Sequence, residues 1–126
     1  MMNKKISISD SELEVMKELW ENSELNAKQL SGRLTAKTSW GEATVKTLLL
    51  RLLQKKAVKR VRKDNLFVYS PCISQDEYRC LAGRSLLNRL FNGVAGDLIT
   101  CLVRNEKISK EEIESLKKLL DEAAEK

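Results

Sequence analysis

Three cysteines, Cys72, Cys80 and Cys101, are the residues of this 126-residue chain best suited to thiol or soft-metal chemistry. Their separations match no CxxC-type spacing for zinc or for a redox pair, so we expect buried or idle thiols. The chain has no histidine, which removes His-based acid–base catalysis and the commonest zinc ligand. The five glycines form neither a GxGxxG pattern nor a P-loop. We therefore expect no enzyme, no metal and no cofactor.

Basic residues are concentrated in the N-terminal half. Residues 1–71 contain 14 Lys and Arg against 8 Asp and Glu, whereas residues 72–126 contain 9 against 10. Within 37–63, nine basic residues stand against one acid, Glu42. Because this excess is larger than solubility requires, the expected partner is a polyanion. RNA is the weaker choice, since Phe67 and Tyr69 share one strand face and are expected to pack on the helices rather than stack on bases.

Helix starts are marked by three S-x-x-E capping boxes, at 9–12, 74–77 and 109–112. In the N-terminal half, Asn26 is expected to cap the second helix, and either Ser39 or Gly41 the third. Apolar spacing predicts helices over 10–22, 26–35 and 42–56. Short strands follow over 57–62 and 66–69, joined by a polar turn over 63–65. Pro71 is expected to end the strand pairing.

The third predicted helix is the most informative segment. Its buried stripe at helical spacing consists of Val45, Leu48, Leu49, Leu52 and Leu53. The opposite face therefore carries Thr44, Lys46, Thr47, Leu50, Arg51 and Gln54. These side chains are of the types that reach phosphates and base edges in a major groove. A protein-binding face would show more aromatic residues, which disfavours an interaction module without nucleic acid.

Three helices followed by a basic hairpin are the order of a winged helix-turn-helix, whose third helix enters the major groove while the hairpin tip reaches neighbouring backbone. Three more helices are predicted over 74–91, 94–104 and 109–124, and so small a unit buries apolar stripes this wide poorly by itself. We expect a mostly α fold with a small β-hairpin, divided into a winged-helix DNA-binding domain (1–71) and a helical dimerisation domain (72–126). A monomer with one continuous core is the alternative.

Several motifs resemble one known family. They are Ser-Glu-Leu-Glu-Val-Met at 11–16 with Trp20, Thr-Val-Lys-Thr-Leu-Leu-Leu-Arg-Leu at 44–52, Tyr-Ser-Pro at 69–71, Tyr78, Leu-Phe-Asn-Gly at 90–93 and the segment 108–116. Together they are similar to the penicillinase repressors (BlaI/MecI type) and the related copper-responsive repressors. The resemblance implies a homodimeric transcriptional repressor that binds a palindromic double-stranded DNA operator. A cytoplasmic location is a separate expectation, the default for a sequence without a membrane helix or a signal-peptide core.

The resemblance and the charge pattern together nominate two sets of site residues. The expected DNA contacts are Thr44, Lys46, Thr47 and Arg51 on the third helix, with Arg60, Arg62 and Lys63 on the wing. The expected dimer contacts are Leu86, Leu90, Leu98, Leu102, Leu116 and Leu120.

The sequence also departs from the family pattern, mainly in features linked to induction. Ala57 stands where a glycine is usual after the Lys-Lys pair. The β-lactam-responsive members are cleaved at an Asn-Phe bond, with a membrane metalloprotease sensor as partner, and the corresponding pair here is Cys101-Leu102. The cysteine-rich tail of the copper-responsive members is missing. The sequence therefore does not identify the inducer, and a thiol- or metal-responsive sensor using Cys72, Cys80 and Cys101 is the alternative function.

No segment is apolar enough to predict membrane insertion, and the N-terminus lacks a signal-peptide core.

Overall fold

The computed structural model describes residues 6–105 and 107–125, which form two compact units, one ending at Ala82 and the other beginning at Gly83. Its elements are α1 (Asp10–Asn22), β1 (Leu25–Asn26), α2 (Ala27–Thr35), α3 (Glu42–Gln54), β2 (Val58–Lys63), β3 (Leu66–Pro71), α4 (Gln75–Phe91), α5 (Ala95–Asn105) and α6 (Lys110–Ala124). Within the described residues, no single helix is long and apolar enough to cross a membrane, although the bent α4–α5 pair meets that test by length and composition.

The predicted helix starts are confirmed by their hydrogen bonds. Ser9 Oγ accepts from the backbone N–H of Glu12 at 3.2 Å, while Glu12 Oε1 accepts from the backbone N–H of Ser9 at 3.0 Å. Asn26 and Gln29 form the same reciprocal pair at the start of α2. The boxes at the starts of α4 and α6 are also present. Each box satisfies two backbone donors that a helix start leaves free, which is why these starts were readable from sequence.

The end of α3 explains how Ala57 takes the place of the expected glycine. The helix stops at Gln54, two residues earlier than predicted, and Gly41 rather than Ser39 is its N-cap. Lys56 adopts the left-handed conformation (φ 63°), and the Ala57 N–H donates to the Leu52 carbonyl at 2.9 Å. This is a Schellman-type ending. Because the left-handed residue is Lys56, Ala57 needs no glycine-like freedom and is fully buried.

The predicted hairpin belongs to a three-stranded antiparallel sheet with the order β1-β3-β2. β1 was not predicted, since two residues carry no periodic signal. In the β2–β3 pair, Lys63 lies opposite Leu66, so the turn is only Asp64-Asn65. Both turn residues have positive φ (51° and 67°), as a type I′ turn requires. Helices α1–α3 followed by this hairpin confirm the winged helix-turn-helix.

One hydrophobic core holds the winged unit together. All three helices and the sheet contribute to it, through Val15, Met16, Leu19, Leu25, Leu30, Leu34, Val45, Leu48, Leu49, Leu52, Ala57, Val58, Tyr69 and Ile73. Tyr69 packs in this core as expected, but Phe67 does not, and 38% of it is exposed. The expectation that both rings pack on the helices is therefore wrong for Phe67, which lies two residues nearer the hairpin turn than Tyr69 and is not among the residues packed in or against the core.

The first turns of α4 belong to the winged unit rather than to the one that follows. Trp20 Nε1 donates to the Ile73 carbonyl at 2.9 Å, and the Trp20 and Tyr78 ring centroids are 5.9 Å apart. The compact units therefore meet at 82/83, eleven residues after the predicted domain boundary. The functional division at 71/72 stays a prediction, since compactness does not say which residues dimerise.

Among its described residues, the second unit lacks a buried core. From Gly83 onward, no described side chain is buried. Its exposed large apolar residues are Leu86, Leu90, Val94, Leu102, Val103, Ile113, Leu119 and Leu120. Large apolar side chains left exposed in this number are typical of a unit that interacts with a partner.

We expect two leucine truncations on the same helix to change the free energy of unfolding by very different amounts. Leu52→Ala removes a fully buried side chain and should lower the free energy of unfolding by about 2–5 kcal/mol. Leu50→Ala, at a position 53% exposed, should change it by no more than about 0.5 kcal/mol. Urea denaturation followed by circular dichroism measures both. Equal losses would contradict the assigned orientation of α3.

Candidate nucleic-acid interface

Burial of one face of α3 turns the other face to solvent. Val45, Leu48, Leu49 and Leu52 are at most 4% exposed. The four predicted contact residues on this helix are all exposed: Thr44, Lys46, Thr47 and Arg51. Their neighbours Leu50 and Gln54 are exposed as well. We call these six residues the α3 ridge. It presents cationic, hydroxyl and methyl groups along one side of a single helix.

The members of the α3 ridge differ in how far their polar groups are already engaged. Thr47 Oγ1 donates to the Ala43 carbonyl at 3.1 Å, so its hydroxyl proton is used within the helix. Lys46 Nζ lies 3.6 Å from Glu42, an exposed pair of small energetic weight. No carboxylate of the described residues lies within 4.0 Å of Arg51. Arg51 is thus the ridge cation most available to an anion.

The connection before α3 is fixed by hydroxyl groups. Thr38 Oγ1 donates to the Leu34 carbonyl at 2.8 Å and accepts from the Trp40 N–H at 3.1 Å. Thr35 Oγ1 donates to the Trp40 carbonyl at 2.9 Å. These bonds tie the turn to the end of α2, so that α3 begins at a defined place relative to α2.

Two buried carboxylates on α1 brace the ends of the helix-turn-helix. Glu12 has 3% of its side chain exposed, and its Oε1 lies 2.5 Å from Lys55 Nζ at the end of α3. Lys55 Nζ also donates to the Ser7 carbonyl at 2.7 Å. Glu18, also 3% exposed, binds Lys37 just after α2, and the hydrogen bond and charge of Glu18 raise the pKa of Lys37. Both acids thereby satisfy their charge inside the fold.

The ionisation of Glu12 reflects this brace. Burial alone would raise the pKa of its carboxyl group, but hydrogen bonds from Lys55 and the Ser9 backbone N–H, with the charges of Lys55 and Arg51, outweigh it. The net result is a pKa below the ordinary value of 4.5. The carboxylate is therefore the form that the folded protein favours.

Acids neutralise part of the basic cluster, and three of the four lie outside it in sequence. Lys37, Lys46, Lys55 and Lys63 pair with Glu18, Glu42, Glu12 and Glu24, respectively. The sequence pattern of nine basic residues facing one acid therefore overstated the free charge. Among the described residues, the cluster members without a carboxylate within 4.0 Å are Arg51, Lys56, Lys59, Arg60 and Arg62. All the arginines of the cluster are in this group.

The predicted wing residues lie on two different faces of the hairpin. In the β2–β3 register, Arg60 lies opposite Tyr69 and Arg62 lies opposite Phe67. Both arginines are therefore on the face of the hairpin that carries the Phe67 ring. Lys63 points to the other face, where its Nζ lies 2.9 Å from Glu24. Sequence reasoning grouped Arg60, Arg62 and Lys63, whereas the structure separates the lysine from the arginine pair.

The remaining candidate residues lie outside this interface. The cysteines Cys72, Cys80 and Cys101 are all exposed, so of the two expected states, buried or idle, the buried one is wrong and the idle one stays a prediction. Within the described residues, no group of three His, Cys, Asp or Glu side chains could hold a metal ion. Cys101 and Leu102, the position matching the family's cleavage site, lie inside α5 with both side chains exposed.

The structure distributes the predicted dimer residues over α4, α5 and α6. Four are exposed: Leu86, Leu90, Leu102 and Leu120. Leu98 and Leu116 are half-buried. Two further apolar residues that the prediction did not include are also exposed, Leu119 (62%) and Val103 (52%). Both adjoin predicted residues in sequence, and a wider apolar stripe would have included them.

Comparison with known proteins identifies the family. Residues 8–122 match the family model described as penicillinase repressor. The penicillinase repressor of Bacillus licheniformis is 36% identical over 121 residues, which cover 96% of this chain and 94% of that protein. The chain belongs to the penicillinase repressor family. It is a DNA-binding repressor rather than an enzyme, and the thiol- or metal-sensor alternative is not favoured.

The winged unit of this repressor is similar to solved structures of DNA-binding domains. A solution structure of the DNA-binding domain of the repressor BlaI is 40% identical, with a TM-score of 0.54. Another shows the monomeric form of Bacillus licheniformis BlaI in complex with the blaP half-operator, at 40% identity and a TM-score of 0.53. Each similarity covers 60% of this chain and 94% of that chain.

The Glu12–Lys55 brace predicts an acid-sensitive fold. A carboxyl group whose pKa is lowered by folding stabilises the protein above its unfolded pKa, and this stability is lost as pH falls below about 4.5. Glu12→Gln should therefore show a shallower loss of unfolding free energy than wild type between neutral and acidic pH. Glu14→Gln, changed at a more exposed site on the same helix, is the control and should follow wild type. Parallel curves for all three proteins in urea titrations would contradict the role of the brace.

Proposed function

We propose that this repressor binds a palindromic operator as a homodimer, with one α3 ridge in each of two major grooves. The observation that carries the proposal is the outward orientation of Thr44, Lys46, Thr47 and Arg51 on a helix whose other face is locked in the core. A single α-helix fits the B-DNA major groove, and arginine reads guanine edges through paired hydrogen bonds. The half-operator complex of the related BlaI supports the same use of the winged unit.

The wing would contact the phosphate backbone beside α3. Arg60 and Arg62 carry positive charge that no described carboxylate within 4.0 Å neutralises, and their guanidinium groups suit phosphate oxygens. Lys63 would contribute less than the arginines, because DNA must first displace Glu24 from it. These contacts position the protein without reading sequence.

The exposed apolar side chains of the second unit support the proposal that it dimerises. None of its described side chains is buried, and Leu86, Leu90, Leu102 and Leu120 are all exposed. A second copy of the same surface would cover these residues and bring two winged units onto one duplex. Residues 1–71 would then read DNA, and residues 72–126 would pair the protomers.

Location and release of repression follow from this role. A repressor acts where the chromosome is, so we place the protein in the cytoplasm. A membrane metalloprotease sensor as partner remains a prediction from the family resemblance. Cleavage between Cys101 and Leu102 would require α5 to open locally, since that bond lies within a helix.

Arg51 provides the test of sequence reading. Arg51→Ala should weaken binding to an operator selected from random DNA by about 1–3 kcal/mol, and should weaken binding to random duplex far less. The control is Arg79→Ala, the same change at a 68% exposed position on α4, which should bind both duplexes like wild type. Fluorescence anisotropy measures the six affinities of wild type and the two variants for the two duplexes. Operator binding by Arg51→Ala as tight as wild type would refute the placement of α3.

The dimer is tested by introducing charged residues into the apolar surface proposed to form it. Leu90→Glu combined with Leu120→Glu should give a monomer in sedimentation equilibrium, because two charges would be buried between protomers. The variant should still bind a single half-site, which shows that the winged unit is folded. Lys118→Glu is the control, on the side of α6 opposite Leu116 and Leu120 by helical spacing, and should stay dimeric. A dimeric double variant would overturn the assigned interface.

A further inference from the structure

Phe67 is an aromatic residue near the tip of the wing that the core does not use. It is 38% exposed, and the residues that pack in or against the core do not include it. Its neighbour in sequence, Leu66, is on the other face of the strand and is 54% exposed. Core packing therefore does not explain why an aromatic ring stands at this position.

The contacts of Phe67 are instead made to the two arginines of the opposite strand. The Arg60 Cζ atom lies 4.1 Å from the centroid of the Phe67 ring, and the Arg62 Cζ atom lies 5.4 Å from it. Both distances are within the range of a cation–π interaction. The strand register produces this arrangement, because Arg62 pairs directly with Phe67 and Arg60 lies two residues away on the same face.

Stacking on a ring prepares an arginine for phosphate binding. When the flat face of a guanidinium group stacks on a ring, the N–H groups at its edge stay available to oxygen acceptors. A side chain that is already ordered loses less freedom when it binds. Without the ring, two long and like-charged side chains on one strand face would spread apart in solvent.

We propose that Phe67 is a positioning residue for DNA binding, holding Arg60 and Arg62 as an ordered pair of guanidinium groups for the phosphate backbone. This inference rests on the proposed function, in which the wing meets the backbone. It also ranks the wing cations: the arginine pair ordered by Phe67 carries the contact, and Lys63, held by Glu24 on the other face, is secondary.

The test compares three single variants on a short duplex of random sequence, since backbone contacts need no operator. Phe67→Leu keeps an apolar side chain but removes the ring, and should weaken binding about 2- to 5-fold per engaged wing, as expected for exposed cation–π pairs. Phe67→Tyr keeps the ring and should bind like wild type. Leu66→Ala removes a more exposed apolar side chain from the other face and should also bind like wild type.

A double-mutant cycle separates positioning from a structural effect on the hairpin. In the background Arg60→Ala with Arg62→Ala, Phe67→Leu should have no further effect on DNA binding, because the ring acts only through the arginines. The same fold loss in both backgrounds would overturn the inference, and so would full binding by Phe67→Leu alone. If the double arginine variant itself binds like wild type, the wing contact in the proposed function fails as well, while the test at Arg51 still stands or falls independently.

Discussion

The burial of one stripe of α3 is the constraint on which the rest of the winged unit depends. Val45, Leu48, Leu49 and Leu52 contribute to a core that also contains residues of α1, α2 and the sheet. A helix has only one rotation about its axis that buries this stripe, so the same contacts that stabilise the fold also decide which side chains face solvent. Under the proposed function, stability and DNA recognition are thus assigned to opposite faces of one short helix.

Charge in the basic cluster (residues 37–63) is distributed largely by the type of cation. Among the described residues, four of its six lysines have a carboxylate within 4.0 Å and none of its three arginines does, whereas Arg33, outside the cluster, lies 3.9 Å from Glu18. The partners of Lys37 and Lys55 are buried acids of α1. Arginine suits an anion that must be bound in a fixed geometry, whereas lysine serves as a compact charge that can close an internal pair. The paired lysines therefore brace the fold, and under the proposed function the cluster arginines are available to phosphate groups.

The two units differ in how far each is complete. The winged unit encloses fully buried side chains such as Met16 and Leu30, as an independently stable domain does. The helical unit has apolar surface but no buried side chain among its described residues. In the proposed dimer this division would couple DNA affinity to self-association, because two modest DNA-binding modules on one duplex act as a single strong one.

The sequence by itself determined the local features: the capping boxes, the rotation of α3 and the hairpin order, because each depends on residues close together along the chain. Tertiary structure alone decided which charges are free, since the partners of Lys55 and Lys63 are 43 and 39 residues away. It also decided that β1 pairs with β3, and that Phe67 meets two arginines instead of the core. Such facts depend on how distant segments meet, which no local periodicity records.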